Sequence, residues 1–485
     1  MSRLIADCLI IIFNDLREKA SSLYSCILVN RYWCRTAMPI LWKVPFEFDI
    51  GNWDSLSNRK LYNLIFYLLP TFSKKLLLDN NIELPTIQEF SNQPLFNYIS
   101  FSSQVPPNFI NNMINNLIKK EDGFNKYKET GKKYLLEQEI YKLFINNCKD
   151  IKYFNWQTTQ PLSQFHGAPT CFSQLRSLIM DLDFVTSREL FAMSQICQNI
   201  EELSIFECYD DIPGLIWFID TQKILRSLYL HFKSFEKQCL GLSEVIERKA
   251  STLRKFSIEP WIISLSPKFL PSLINLQHLE LKNFSAFNVM DIFRESEWEV
   301  SLSLASFPNL QYLETVFLTF SIECDLIEKS NGNILDIDIC RMCNQDPNYT
   351  KKLIKAISTN CPNIERLIIE VELEDLHGIK EILINCSRLI KLNLSINNED
   401  ELECDEILKI IVKFSPETLH EITFCANFIF TLDGLIDFFE NWKGRKPLIF
   451  YKHTYEEKYF TDDFKMIIKK YFDEGVIKKT KFLLI

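Results

Sequence analysis

Beyond residue 145 one arrangement of apolar and polar positions recurs: an apolar residue, two others, an apolar residue, one other, and a third apolar residue. It occupies 151–156, 175–180, 200–205, 225–230, 253–258, 276–281, 310–315, 364–369, 389–394 and 419–424, with a worn copy near 334–339. The step between first apolar positions ranges from 23 residues (253 to 276) to 34 (276 to 310). The last two apolar positions alternate, the period of a strand whose successive side chains point to opposite faces. The first packs the turn entering the strand. Between copies, 187–197, 376–385 and 406–414 carry apolar residues at helical spacing. The pattern predicts short parallel strands alternating with helices, each unit stabilised only by stacking on its neighbours.

A unit repeated at roughly 20–50 residues marks a solenoid. With copies such as Leu225-Arg-Ser-Leu-Tyr-Leu230 and Leu276-Gln-His-Leu-Glu-Leu281, this one resembles a leucine-rich repeat. The resemblance implies an α/β fold over residues 146–455, a curved parallel sheet with helices on its convex side. Cys148, Cys197, Cys361 and Cys386 stand three residues before a first apolar position, and Phe172, Ala250 and Phe307 fill the same slot elsewhere. A buried residue closing the helix end explains both sets better than a metal site does. In 456–485, Phe464, Ile467, Ile468, Tyr471 and Phe472 predict a capping helix started by Thr461 or Asp462 and stopped by Gly475.

At the other end, Leu9, Ile12, Phe13 and Leu16 fall on one helical face. Ser21 or Ser22 can cap a second short helix with Leu23, Cys26, Ile27 and Val29, and Asn30 a third with Trp33, Ala37 and, past a break at Pro39, Leu41 and Trp42. Three short helices in roughly forty residues bury little surface and need outside support. The string Leu4-x-x-Asp7-x-Leu9-x-x-Ile12-Phe13-x-x-Leu16, Cys26-x-Leu28-Val29-Asn30-Arg31-x-Trp33, Pro39-x-Leu41-Trp42 resembles an F-box over residues 1–45. In that family Pro usually follows the first Leu, where Ile5 stands here. The resemblance implies docking onto a Skp-type adaptor, and through it a cullin. The residues it implies for docking are Leu4, Ile5, Leu9, Ile12, Phe13, Leu28, Val29, Asn30, Trp33, Pro39, Leu41 and Trp42.

Residues 46–145 read as a linker and degenerate first repeats. Leu61, Leu64, Ile65, Leu68 and Leu69 share a helical face, 75–78 and 95–101 read as strands, and 111–133 as a polar insertion.

Of the 485 residues, 47% are hydrophobic and 24% charged, the balance of a folded chain. A net charge of −9 opposes nucleic acid as a partner, because phosphate binding needs a cationic field. No apolar run near the N-terminus approaches the ~20 residues of a membrane span, so no membrane partner is expected. The 15 Cys, odd in number and scattered, fit a reducing compartment, cytoplasm or nucleus. No glycine-rich phosphate loop, nucleophile elbow or His-Glu-x-x-His occurs. Cys340-x-x-Cys343 lacks the second pair a zinc site needs. No metal, cofactor or intrinsic catalysis is expected.

The two resemblances together imply a non-catalytic adaptor: the substrate receptor of a cullin-type ubiquitin ligase, its repeats holding a protein substrate. A repeat scaffold without a ubiquitin role is the alternative. The outward strand positions carry carboxylates (Asp181, Glu202, Glu259, Glu280, Glu314, Glu370, Glu421) in excess of cations (Lys255, Lys282, Arg366, Lys391). Aromatic residues beside charge are what interfaces use at their centres. Tyr153, Phe206, Tyr229, His278, Glu280 and Tyr312 are therefore the candidate substrate-binding residues, for a protein with a basic or neutral segment.

Overall fold

The computed structural model describes residues 6–16, 20–43, 56–85, 94–118, 126–149, 151–284, 289–318, 321–341, 348–396, 402–426, 428–453 and 461–480. The expected docking residues Leu4 and Ile5, and Cys343, lie outside them. The chain divides into two compact units, Met1–Glu207 with Ile212–Leu225, and Cys208–Asp211 with Arg226–Ile485.

The first unit opens with α1 (Ala6–Asp15), α2 (Ala20–Ile27) and α3 (Arg31–Leu41). Asn30 caps α3 as expected, its side-chain Oδ1 accepting from the backbone N–H of Tyr32 and Trp33, each at 2.9 Å. Two details differ from the sequence reading. Ser21 and Ser22 lie inside α2, which already begins at Ala20. Pro39 does not break α3; near a helix end it removes only one backbone bond, and the helix runs on to Leu41.

Helices Leu56–Leu68, Thr71–Asp79, Pro107–Leu117 and Lys126–Asn147 follow. The strands expected at 75–78 and 95–101 are thus corrected: the first is α-helical and the second holds a 3-10 turn, Tyr98–Phe101. Three successive leucines carry no period, and leucine favours helix. The polar insertion expected at 111–133 is likewise helical over 111–117 and 126–133. Asn-rich sequence hid the buried stripe of Phe109, Ile110, Met113 and Ile114. Then come β1 (Tyr153–Trp156), β2 (Ser177–Asp181) and β3 (Glu202–Cys208), parallel and in sequence order. Buried Gln222 ties two turns: its amide nitrogen donates to the carbonyl of Cys197 at 3.0 Å, and its oxygen accepts from Ile200 N at 3.0 Å.

The second unit holds β4 (Ser227–Phe232), β5 (Lys255–Glu259), β6 (His278–Lys282), β7 (Tyr312–Val316), β8 (Asp336–Cys340), β9 (Arg366–Val371) and β10 (Lys391–Ile396). After them come β11 (Leu402–Glu403), β12 (Glu421–Ala426), β13 (Phe428–Ile429), β14 (Leu448–His453) and β15 (Ile477–Lys479). β4 to β10, β12, β14 and β15 pair in that order, all parallel, while β11 pairs with β13. All eleven copies of the sequence pattern are strands.

Their register aligns the apolar positions. Leu228, Phe256, Leu279, Leu313, Ile337, Leu367, Leu392 and Ile422 stand opposite one another, strand by strand, and all are fully buried. Burying each such side chain contributes about 1.5–3 kcal/mol. The cysteine slots are buried too: Cys361 and Cys386 lie at helix ends, their thiols pushed up to about 12 by desolvation. Helix Asp462–Asp473 is capped by Thr461, whose hydroxyl accepts from Phe464 N at 3.2 Å, and Gly475 follows in the left-handed region at φ +76. Phe464, Ile468 and Tyr471 are its buried face.

Candidate functional site

Two surfaces carry the residues singled out in the sequence, one in each unit. The first is the three-helix bundle. Leu9 and Phe13 from α1, Leu23 from α2 and Ala37 from α3 form its core, with Leu16, Cys26, Ile27, Trp33, Ile40 and Leu41 packed around them. Trp33 meets Phe13 edge-on, ring centroids 5.3 Å apart. That core consumes Leu9, Phe13, Trp33 and Leu41, and the Asn30 side chain serves as the cap. Trp42 turns to its own unit, 4.7 Å from the ring of Tyr98, and the Lys43 carbonyl accepts from Ser103 N at 2.9 Å. Pro39 is half-buried.

What remains in solvent is apolar. Ile11 is 64% exposed, Leu28 70% and Val29 57%, with Ile10, Ile12, Tyr24 and Tyr32 also exposed. The bundle thus brings Ile12, Leu28 and Val29 of the expected docking residues to the surface. It adds Ile10, Ile11, Tyr24 and Tyr32, which helical periodicity alone did not separate from solvated positions. Soluble monomers leave single apolar residues exposed routinely; here seven are exposed on one small three-helix bundle.

The second surface is the strand face of the second unit. Position-by-position register places Lys255, His278, Tyr312, Asp336 and Arg366 in one row, and Tyr229, Ser257, Glu280, Glu314 and Asp338 in the next. His278 and Tyr312, neighbours on β6 and β7, stack with centroids 3.9 Å apart and planes 1° from parallel. His278 Nε2 also pairs with Glu280, to which Lys255 Nζ adds a contact at 3.1 Å. Desolvation would raise the Glu280 carboxyl, but the hydrogen bond with His278 and the Lys255 charge hold it at about 2. Tyr312 Oη donates to Glu314 at 2.6 Å. Lys282 Nζ bridges Glu314 at 2.9 Å and Glu259 at 3.4 Å, and Glu259 accepts from Tyr229 Oη. Arg366 Nε holds Asp336, 2.6 Å from Oδ2.

Asp338 differs from the rest. Desolvation first, then the charge of Glu314, push its carboxyl up to about 6, with Arg366 opposing. Lys255, Lys282 and Arg366 are each engaged with another carboxylate.

The structure therefore gathers Tyr229, His278, Glu280 and Tyr312 into one network. Tyr153 and Phe206 belong to the other unit, on β1 and β3. Sequence reasoning missed Ser257, Asp336 and Asp338. The last two were legible in the alternation Asp336-Ile-Asp-Ile339 of the worn copy, whose outward positions went uncounted. Among the described residues no group of His, Cys, Asp and Glu has the arrangement of a metal site, and no helix is long and apolar enough to cross a membrane.

No family model matches the chain, and no curated protein matches it.

Proposed function

We propose that this chain is the substrate receptor of a cullin-type ubiquitin ligase. On this reading α1–α3 dock a Skp-type adaptor and the repeats hold a protein substrate; the chain itself does no chemistry and needs no cofactor. The observation that carries the reading is the division of labour within the N-terminal bundle. Half of the F-box-like apolar residues close a core, and Ile12, Leu28 and Val29 stay in water beside Ile10, Ile11, Tyr24 and Tyr32. Exposed apolar surface of this kind is stabilised by burial against a partner.

The rival is a repeat scaffold whose N-terminal helices only cap their own unit. The contacts of Trp42 with Tyr98 and of Lys43 with Ser103 favour it, since they tie α3 to the chain that follows. Co-purification separates the two. The full chain should retain a Skp-type adaptor, and Leu28→Ser with Val29→Ser should abolish retention while circular dichroism stays unchanged. Replacing Trp33 would be a poorer test, because Trp33 supports Phe13 and its loss would unfold the bundle. Retention by the double variant equal to that of the parent contradicts the proposal.

A further inference from the structure

We propose that the strand face of β4–β8 binds an extended protein segment carrying lysine or arginine, its cation held by Glu314 and Asp338 and its backbone by Ser257. The inference rests on reading the repeats as the part that holds a partner and is independent of adaptor docking.

Three observations meet on one strand face. The first is the row itself: Tyr229, Ser257, Glu280, Glu314 and Asp338 are register partners on five successive strands. Parallel strands lie ~4.8 Å apart, so three carboxylates occupy three adjacent rungs. Like charges directly opposite one another destabilise a sheet. On β5 to β9 the carboxylates Glu259, Glu280, Glu314, Asp336, Asp338 and Glu370 outnumber Lys255, Lys282 and Arg366. The uncompensated charge sits at the Asp338 end of the row.

The second observation is Ser257. Phe256 and Ile258 point into the core and are buried, so alternation turns Ser257 to the same face as Lys255 and Glu259. The residue is 1% exposed, and its hydroxyl has no hydrogen-bond partner among the described residues. Buried hydroxyls without partners are uncommon, because desolvation goes uncompensated. A group from outside that donates and accepts, such as a peptide unit, would satisfy it.

The third is the stacked pair of His278 and Tyr312 beside the carboxylates. Aromatic faces take the stems of lysine and arginine while the charged head reaches a polar partner, as Arg366 already does, 5.7 Å from the Tyr312 ring centroid and paired with Asp336. An acidic segment would add charge of the same sign, and an apolar one would leave Asp338 as it is.

The test uses the purified full chain and two short labelled peptides, one alternating lysine with alanine, the other glutamate with alanine. Fluorescence anisotropy should show binding of the lysine peptide alone. Glu314→Gln with Asp338→Asn should weaken it by roughly tenfold or more. Asp462→Asn with Asp463→Asn, the same change in net charge on the C-terminal helix, should leave it within about twofold. Ser257→Ala, which alters no charge, should weaken it by a smaller factor, and thermal melts check that each variant folds. Equal loss for both charge pairs, no loss for either, or binding of the glutamate peptide overturns the inference. Should the Glu314 and Asp338 pair unfold the chain, Asp338→Asn alone decides by the same criterion. Adaptor capture by these variants, unchanged or absent, reports on the receptor reading separately.

Discussion

Asp338 and Leu279 show what single positions do in a stacked sheet. Leu279 is fully buried between Phe256 and Leu313 on its neighbours. Leu279→Ala should lower unfolding stability by about 2–5 kcal/mol in urea titrations, because the flanking strands cannot collapse into the cavity. Asp338 acts in the opposite sense. Its native carboxyl titrates near 6, above the ordinary 3.8, so the folded chain binds a proton the unfolded chain has released. Stability from this group is present below pH 4 and is lost as pH rises to about 6. Burial sets this first, followed by the charges of Glu314 and Asp336, with Arg366 and Lys282 opposing. Asp338→Asn should therefore raise the melting temperature at pH 8 and not at pH 4. After discounting for its partial exposure the gain is about 1 kcal/mol. A melting temperature lower at pH 8 would refute that assignment of the carboxyl. Leu279 was legible in the sequence because its period announced it. Ser257 was not, because nothing in an alternating strand says whether a hydroxyl will find a partner.

At the scale of elements, the repeats signal their strands clearly and their helix starts obscurely. The caps often come from the unit before. Asp211 takes the backbone N–H of Gly241 at 2.7 Å and of Leu242 at 2.9 Å, at the start of helix Leu240–Lys249. Asp405 takes Thr431 N at 2.9 Å ahead of helix Leu432–Trp442. Ser187 takes Gly214 N at 2.8 Å, and Gly214 is required there, since a Cβ would sit 2.1 Å from the Ser187 carbonyl. Such caps lie some 25–30 residues from the helix they serve, beyond any local motif. Asp211→Ala should cost about 1 kcal/mol in thermal unfolding and raise amide exchange in the first turn of that helix; unchanged exchange there would show the cap to be idle. Distance explains the misses elsewhere. β14 escaped the repeat pattern because the register that pairs Ile422 with Phe450 and Phe424 with Lys452 puts Pro447 at the first apolar position and a lysine at the last. Within 46–145 the helical face from Leu61 to Leu68 was read correctly, whereas 75–78, 95–101 and 111–133 were misread because leucine runs and asparagine-rich sequence leave the period open, and tertiary burial decides it.

For the whole molecule, the repeat architecture and the outline of the N-terminal helices could be read directly from apolar spacing. The sorting of the N-terminal residues could not. Periodicity groups Leu9, Ile12 and Phe13 on one face, and only packing reveals that Leu9 and Phe13 close the core while Ile12 remains in solvent. The strand face was partly legible: its aromatic and acidic character followed from alternation, its ion-pair network from register. Its charge carries a consequence for assembly: binding of a basic segment there should fall steeply with salt, while adaptor docking through apolar side chains should change little. The central claim is that the N-terminal helices hold a ligase adaptor. Its most direct test is calorimetric titration of a purified Skp-type adaptor into the full chain, beside the Leu28→Ser, Val29→Ser variant. The receptor reading predicts saturable one-to-one binding with Kd below about 1 μM, lost in the variant at unchanged fold. Absence of heat and of complex with the parent chain, or equal binding by the variant, would contradict it.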